Sequence, residues 1–158
     1  VIVQLAPLTA PAEGFSGNAV WYGFQDGRSD TAYYTAYVPY RRAAGTDIGI
    51  EIRWLNDDVT KTGKVLWKCS YLSAGAGDDP FAAGTTISKL SAGNHAQDEE
   101  LATTLDTGIE SNKLTTGDEL YLKIWRDGTD GTDTFANTAK LLAVHLHFIK
   151  DKLGKALP

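Results

Sequence analysis

The stretch "RDGTDGTDTFANTAKLLAVHLHF", residues 126–148, gathers the side chains best able to do chemistry. Asp127, Asp130 and Asp133 stand three apart, and His145 and His147 alternate within an apolar run. Several carboxylates on a tight loop are the oxygen-rich composition that a hard cation such as calcium takes. The spacing departs from a helix-loop-helix calcium loop, whose ligands alternate and end on a distant glutamate. The sequence favours a solvated turn in which Asp and Thr cap backbone amides and glycine relieves strain, with a bound calcium as the alternative. Two histidines at i and i+2 of a strand share one face, a separation zinc bridges if another His or carboxylate approaches. The one further histidine, His95, lies in a polar loop, so no metal site is predicted. Both imidazoles are expected on the polar face of the last strand, wet or against a neighbouring subunit. In the second case titration near neutrality would make assembly pH-sensitive.

Other chemistries find less support. Cys69 in "KVLWKCSYL" alternates with Val65, Trp67 and Tyr71 and reads as a small hydrophobe on a buried strand face; as the single cysteine it excludes an internal disulfide. Ser16 in "EGFSGN" lacks the strand-turn-helix elbow of a serine nucleophile. Glu51, Glu110 and Glu119 are spread along the chain, and a hydrolytic carboxylate pair would have to meet in space. No glycine-rich phosphate cradle opens a helix. No catalytic residue and no cofactor is predicted, and the chain reads as a non-enzyme.

The elements that position these residues follow a period of two. Ile48, Ile50, Ile52 and Trp54 share one face of "DIGIEIRWLN", against Gly49, Glu51 and Arg53. Leu120, Leu122 and Ile124 oppose Glu119, Tyr121, Lys123 and Trp125, while Leu142, Val144, Leu146 and Phe148 oppose Ala143, His145 and His147. Such alternation belongs to antiparallel sheets with one buried face. Weaker strand signals are "VIVQL", "NAVWYGF", "YYTAYVPY", "GTTISKL" and "LATTLDTG"; turns rich in Gly and Asp separate them. About eight strands at this spacing predict an all-β, antiparallel two-sheet β-sandwich over residues 18–149. Residues 1–17, with Pro7 and Pro11, read as an extended N-terminal arm and 150–158 as a C-terminal tail, each able to add a strand to an exposed edge. "NHAQDEEL" is a candidate turn of helix.

Aromatic residues exceed what one core holds. Trp21, Tyr22, Phe24, Tyr33, Tyr34, Tyr37 and Tyr40 crowd a short interval, and neighbours such as Tyr33 and Tyr34 point to opposite faces. Tyrosine joins a wide apolar body to a hydrogen-bonding tip, so the surplus rings predict a subunit contact or, second, a sugar-stacking platform. Trp125, opposite the apolar side of its strand, belongs with them.

The bulk numbers fit one globular domain. The 158 residues are 42% hydrophobic and 22% charged, with a net charge of -5. That sign gives no general attraction for nucleic acid or anionic membranes, and the local basic groups Arg41-Arg42 and Lys150, Lys152, Lys155 are not interleaved with aromatics. Neither a membrane span nor a signal peptide is evident.

"VPYRRAAGTDIGIEIRWLNDDVTKTGKVLWKCSYLSAGAGDD" and "LTTGDELYLKIWRDGTDGTDTFANTAKLLAVHLHF" together resemble a β-sandwich domain recurring in tailed-phage virion proteins. The matching positions are Val38-Pro39, Ile50-Ile52-Trp54, Thr62-Gly63, Val65-Trp67-Tyr71, Gly117-Asp118, Arg126-Asp127 and Leu142-Val144-His145. The resemblance implies a jelly roll, often trimeric, serving as a capsid decoration (cement) protein or within tail fibres. It brings no active site with it. A short chain without shaft repeats suits the cement role. The expectation is therefore a homotrimer bound to the major capsid protein on the capsid surface, without nucleic acid or membrane partners. Its expected contact residues are Trp21, Tyr22, Tyr34, Tyr37, Tyr40, Trp125, His145 and His147. A glycan- or receptor-binding module of a tail fibre is the alternative.

Overall fold

The computed structural model describes residues 2–5, 11–56, 62–92 and 96–151. Ten strands form within them: β1 (Ile2–Leu5), β2 (Ala12–Ser16), β3 (Ala19–Phe24), β4 (Thr31–Tyr37) and β5 (Ile48–Asn56), then β6 (Lys64–Ala74), β7 (Thr85–Ala92), β8 (Glu100–Thr104), β9 (Glu119–Arg126) and β10 (Ala139–Phe148). They pair antiparallel in two five-stranded sheets, ordered β1-β4-β9-β6-β7 and β2-β3-β10-β5-β8. Without β1 and β2, the order is β4-β9-β6-β7 against β3-β10-β5-β8. That interleaving is the double Greek key of a jelly roll. Eight of the nine strand signals read from sequence make up this roll; the ninth, "VIVQL", holds β1, and β1 and β2 extend one edge of each sheet.

The N-terminal segment thus supplies strands to its own chain. β2 forms a hairpin with β3, from Ala12 opposite Gly23 to Ser16 opposite Ala19. The hairpin turns on Gly17-Asn18, with Gly17 at φ +56°, as a two-residue loop with glycine first requires. "AEGFS" carries no apolar alternation, so periodicity alone does not reveal β2.

The core lies where the period of two puts it. Ile48, Ile50, Ile52 and Trp54 of β5 are fully buried, as are Val65, Trp67 and Cys69 of β6 and Leu120 and Ile124 of β9. Trp54 meets Trp67 edge-on across the two sheets at 5.9 Å, Phe24 meets Trp67 at 5.3 Å, and Phe135 meets Trp54 at 6.2 Å. These T-shaped contacts set ring edges against ring faces, the arrangement their charge distribution favours. Cys69 is buried as expected, and burial pushes its thiol well above the ordinary value.

Two expectations change. The pairing of β10 with β5 slips between Leu141 and Ala143, so Leu142 is an inserted bulge residue. Leu141, opposite Trp54, takes the buried position that strict alternation assigns to Leu142. In "NHAQDEEL" the described part is a turn, not helix: Glu99 N–H donates to Ala96 O, Asp98 has φ 60°, and β8 starts at Glu100.

Candidate functional site

The three aspartates do three different things. Arg126 continues the inward parity of Leu120, Leu122 and Ile124, and its side chain is fully buried at the end of β9. A guanidinium there needs an anion and several acceptors. Asp133 is the anion: Arg126 Nε donates to its Oδ2 at 2.9 Å and Nη2 to its Oδ1 at 2.6 Å, a two-pronged pair with both side chains fully buried. The carbonyls of Phe24, Asn137 and Phe135 take further guanidinium protons, and Phe135 lies under the guanidinium at 5.5 Å. Asp133 Oδ2 also accepts from Leu66 N–H. Asp133 is therefore a buried counter-ion, which corrects the fully solvated turn.

Asp127 and Asp130 behave as the solvated turn predicts. Lys68 donates to Asp127 at 2.7 Å, and this hydrogen bond holds the carboxyl below its usual value. Asp130 accepts from Thr132 N–H and is held low chiefly by that amide. The three carboxylates do not converge on one point, and Asp133 has given its oxygens to Arg126 and two backbone amides.

The histidines stand on the outer face of the second sheet, His145 at 49% and His147 at 60% side-chain exposure. Register places His145 opposite Glu51 and His147 opposite Gly49 on β5. His145 Nδ1 lies 3.5 Å and His147 Nε2 3.8 Å from Glu51 Oε1. Arg53 Nε donates to that oxygen at 2.6 Å, while its Nη1 reaches Glu100 on β8 at 3.0 Å. The Arg53 hydrogen bond holds the Glu51 carboxyl below its ordinary value. Glu51 is the partner that sequence leaves unassigned: only the β5–β10 register brings it to the histidines. His95 lies outside the described residues.

The aromatic residues divide by parity. Tyr34 is buried, paired opposite Leu122 and facing the core, so it is corrected from contact residue to core residue; burial pushes its phenol well above the ordinary value. Trp21, Tyr22 and Trp125 are half-buried. The Trp21 ring lies on the Gly14 backbone, where any Cβ would come within 2.1 Å of it, and under Lys140 at 4.9 Å. Tyr22 and Trp125 pack against the core margin, and Lys123 sits 5.1 Å from the Trp125 ring. Tyr37 and Tyr40 are open to solvent, as expected.

On the outer face of the first sheet, register sets these side chains in rows across the strands. Tyr37 stands beside Glu119, Thr35 beside Tyr121 and Leu72, and Tyr33 beside Lys123 and Ser70. A hydrogen bond to Glu119 raises the pKa of the Tyr37 phenol. A groove of about 650 Å³ crosses this face, lined by Tyr33, Thr35, Ser70, Phe81, Tyr121 and Lys123 among others. Phe81, on the loop between β6 and β7, is 93% exposed. Tyr121 and Phe81 are not singled out by the sequence; Tyr121 shares the outward parity of Trp125, whereas Phe81 carries no periodic signal.

No protein-family profile matches the chain, and no curated protein does. Among solved structures, the chain is similar to Xylanase10C (mutant E385A) from Cellvibrio japonicus in complex with xylopentaose, at a TM-score of 0.45 and 14% identity. The match covers 92% of this chain and 26% of that one, so the chain spans about a quarter of that protein's length.

Proposed function

We propose that the protein is a structural component of a tailed-phage virion, a capsid decoration protein that binds the outer capsid surface as a homotrimer. The observation that carries this reading is the outer face of the first sheet. There Tyr33, Tyr37 and Tyr121 stand outward in register, with the half-buried Trp125 on the same side of β9, and Tyr37 is 66% exposed. Rings with few rotatable bonds on fixed strands lose little entropy on being covered, and they are enriched at protein contacts for that reason. Away from this face, Phe15 on β2, the edge strand of the second sheet, and Ile149, just past β10, are also exposed, at 82% and 63%. The resemblance to virion β-sandwich domains points the same way.

The mechanism is mass action. A protein that binds only the assembled shell lowers its free energy relative to released or swollen subunits, by about 2.7 kcal/mol per site when free protein stands at a hundred times its Kd. An interface of about 1,600 Å² reaches useful affinity when a few aromatic anchors are well desolvated. The test is co-sedimentation with particles of the virus that encodes the protein, alongside light scattering for its mass. Trimer mass and co-sedimentation are expected; a monomer that stays in the supernatant overturns the proposal.

A second reading rests on the groove. Tyr33, Tyr121 and Phe81 offer ring faces, while Thr35, Ser70 and Lys123 offer hydrogen bonds. Ring faces with a few polar groups also suit a glycan. Saturable binding to a polysaccharide, lost in Tyr121→Ala, supports this reading; an empty glycan array removes it.

A further inference from the structure

We infer that Glu51, His145 and His147 form a binding site for one borderline transition-metal dication, zinc above all, on the outer face of the second sheet. The site is independent of the proposed virion role. Tetrahedral zinc, with bonds of about 2.1 Å to imidazole nitrogen and carboxylate oxygen, sets its ligand atoms about 3.4 Å apart. Glu51 Oε1 already lies 3.5 Å from His145 Nδ1 and 3.8 Å from His147 Nε2, and all three ligand atoms fall within 4.8 Å of one another. The two imidazoles that have to close the remaining gap are both solvent-exposed.

The fold prepares the cluster. Both histidines share a face of β10, and the bulge at Leu142 sets the register that puts Glu51 directly opposite His145. From Ala143 onward β10 pairs only with β5 among the described residues, since its pairing with β3 ends at Leu141. Water therefore reaches the site from the open side. Three protein ligands leave a coordination position facing solvent, as zinc sites that accept an outside ligand do.

Among the described residues, Arg53 is the cation that pairs with Glu51 in the cluster, and Glu100 shares it. Two carboxylates and one guanidinium leave the surroundings of the two imidazoles net anionic, which favours a dication. Arg53 also fixes the Glu51 carboxylate, the role an outer hydrogen-bond partner plays at metal sites.

The test is calorimetric titration of the full chain with zinc chloride near pH 7.5, with calcium chloride as control. One zinc per chain is expected, with no calcium uptake at this site, because calcium takes oxygen ligands only. His145→Ala, His147→Ala and Glu51→Gln should each weaken zinc binding by more than about tenfold. The three positions lie on the sheet surface, and the melting temperature of each apo variant checks folding. No zinc uptake in the sub-millimolar range overturns the site. So does uptake that survives Glu51→Gln, which would leave only a two-histidine contact, or uptake that survives all three variants.

Discussion

Arg126 and Asp133, seven residues apart, meet in a two-pronged ion pair with both side chains fully buried at the end of the sandwich. The pair closes the "RDGTDGTD" loop on itself and turns it back to where β10 begins. Removing Asp133 leaves the buried guanidinium only the half-exposed Asp26, 3.2 Å away, as counter-ion, a loss of up to about 3–5 kcal/mol. Asp133→Asn should therefore lower the urea midpoint sharply, while Asp130→Ala, at the exposed rim, should barely move it. Arg126→Met should cost at least as much as Asp133→Asn, because the carbonyls of Phe24, Phe135 and Asn137 lose their donor as well. Equal midpoints for Asp133→Asn and Asp130→Ala would contradict the buried pair.

How much of this is legible in the sequence depends on range. Alternation places Ile48, Ile50, Ile52 and Trp54 inward and His145 and His147 outward, because neighbouring side chains on a strand must take opposite faces. The same parity counted two residues past Ile124 lands on Arg126, so its burial can be read once a charged residue is allowed on the apolar side. Its partner cannot, because Asp127, Asp130 and Asp133 look alike in sequence and only the path of the loop decides which one turns inward. The meeting of Glu51 with the histidines depends on the register between strands more than ninety positions apart, itself shifted by the bulge at Leu142. β2 has no apolar alternation to betray it; it forms because Gly17-Asn18 turns the chain back along β3.

The Lys68–Asp127 pair makes acid stability a second test. Its hydrogen bond depresses the folded-state pKa of Asp127 below the ordinary 3.8. A carboxyl held lower when folded contributes its full stabilisation above the unfolded value and loses it as pH falls through the folded one. Lys68→Met should therefore reduce thermal stability at neutral pH and leave a shallower loss between about pH 5 and pH 2 than in the parent chain. Melting curves taken across that range check it. Parallel profiles for the two proteins would show that the pair contributes nothing.

A third prediction concerns the join between the sheets. Trp54 Nε1 on β5 donates to Thr103 Oγ1 on β8 at 2.9 Å, and Thr103 donates in turn to Ser91 Oγ on β7 at 2.7 Å. One hydroxyl thus satisfies a buried indole and ties two sheets together at their shared edge. Thr103→Val keeps the shape but strips the indole of its acceptor, a cost of about 1–3 kcal/mol. Denaturant unfolding should register that loss, and Trp54 fluorescence should shift with it. Thr103→Ser, which restores the oxygen, should recover most of the difference.

Tyr34 and Tyr37, three positions apart on β4, separate folding from assembly. Tyr34 stands in a buried row with Leu122 and Tyr71, while Tyr37 stands outward beside Glu119. Removing a buried ring costs about 3–5 kcal/mol through lost contacts and the cavity left behind. Tyr34→Ala should thus unfold the protein at markedly lower denaturant, and any loss of particle binding should track the unfolded fraction. Tyr37→Ala should leave the midpoint almost unchanged, since solvent already surrounds most of its ring. If the aromatic face is the capsid-contacting surface, Tyr37→Ala nonetheless weakens co-sedimentation by tenfold or more, the effect of losing a contact anchor worth about 1.4 kcal/mol or above. A fully folded Tyr37→Ala, Tyr33→Ala double variant that still binds particles with parental affinity would move the contact to another face.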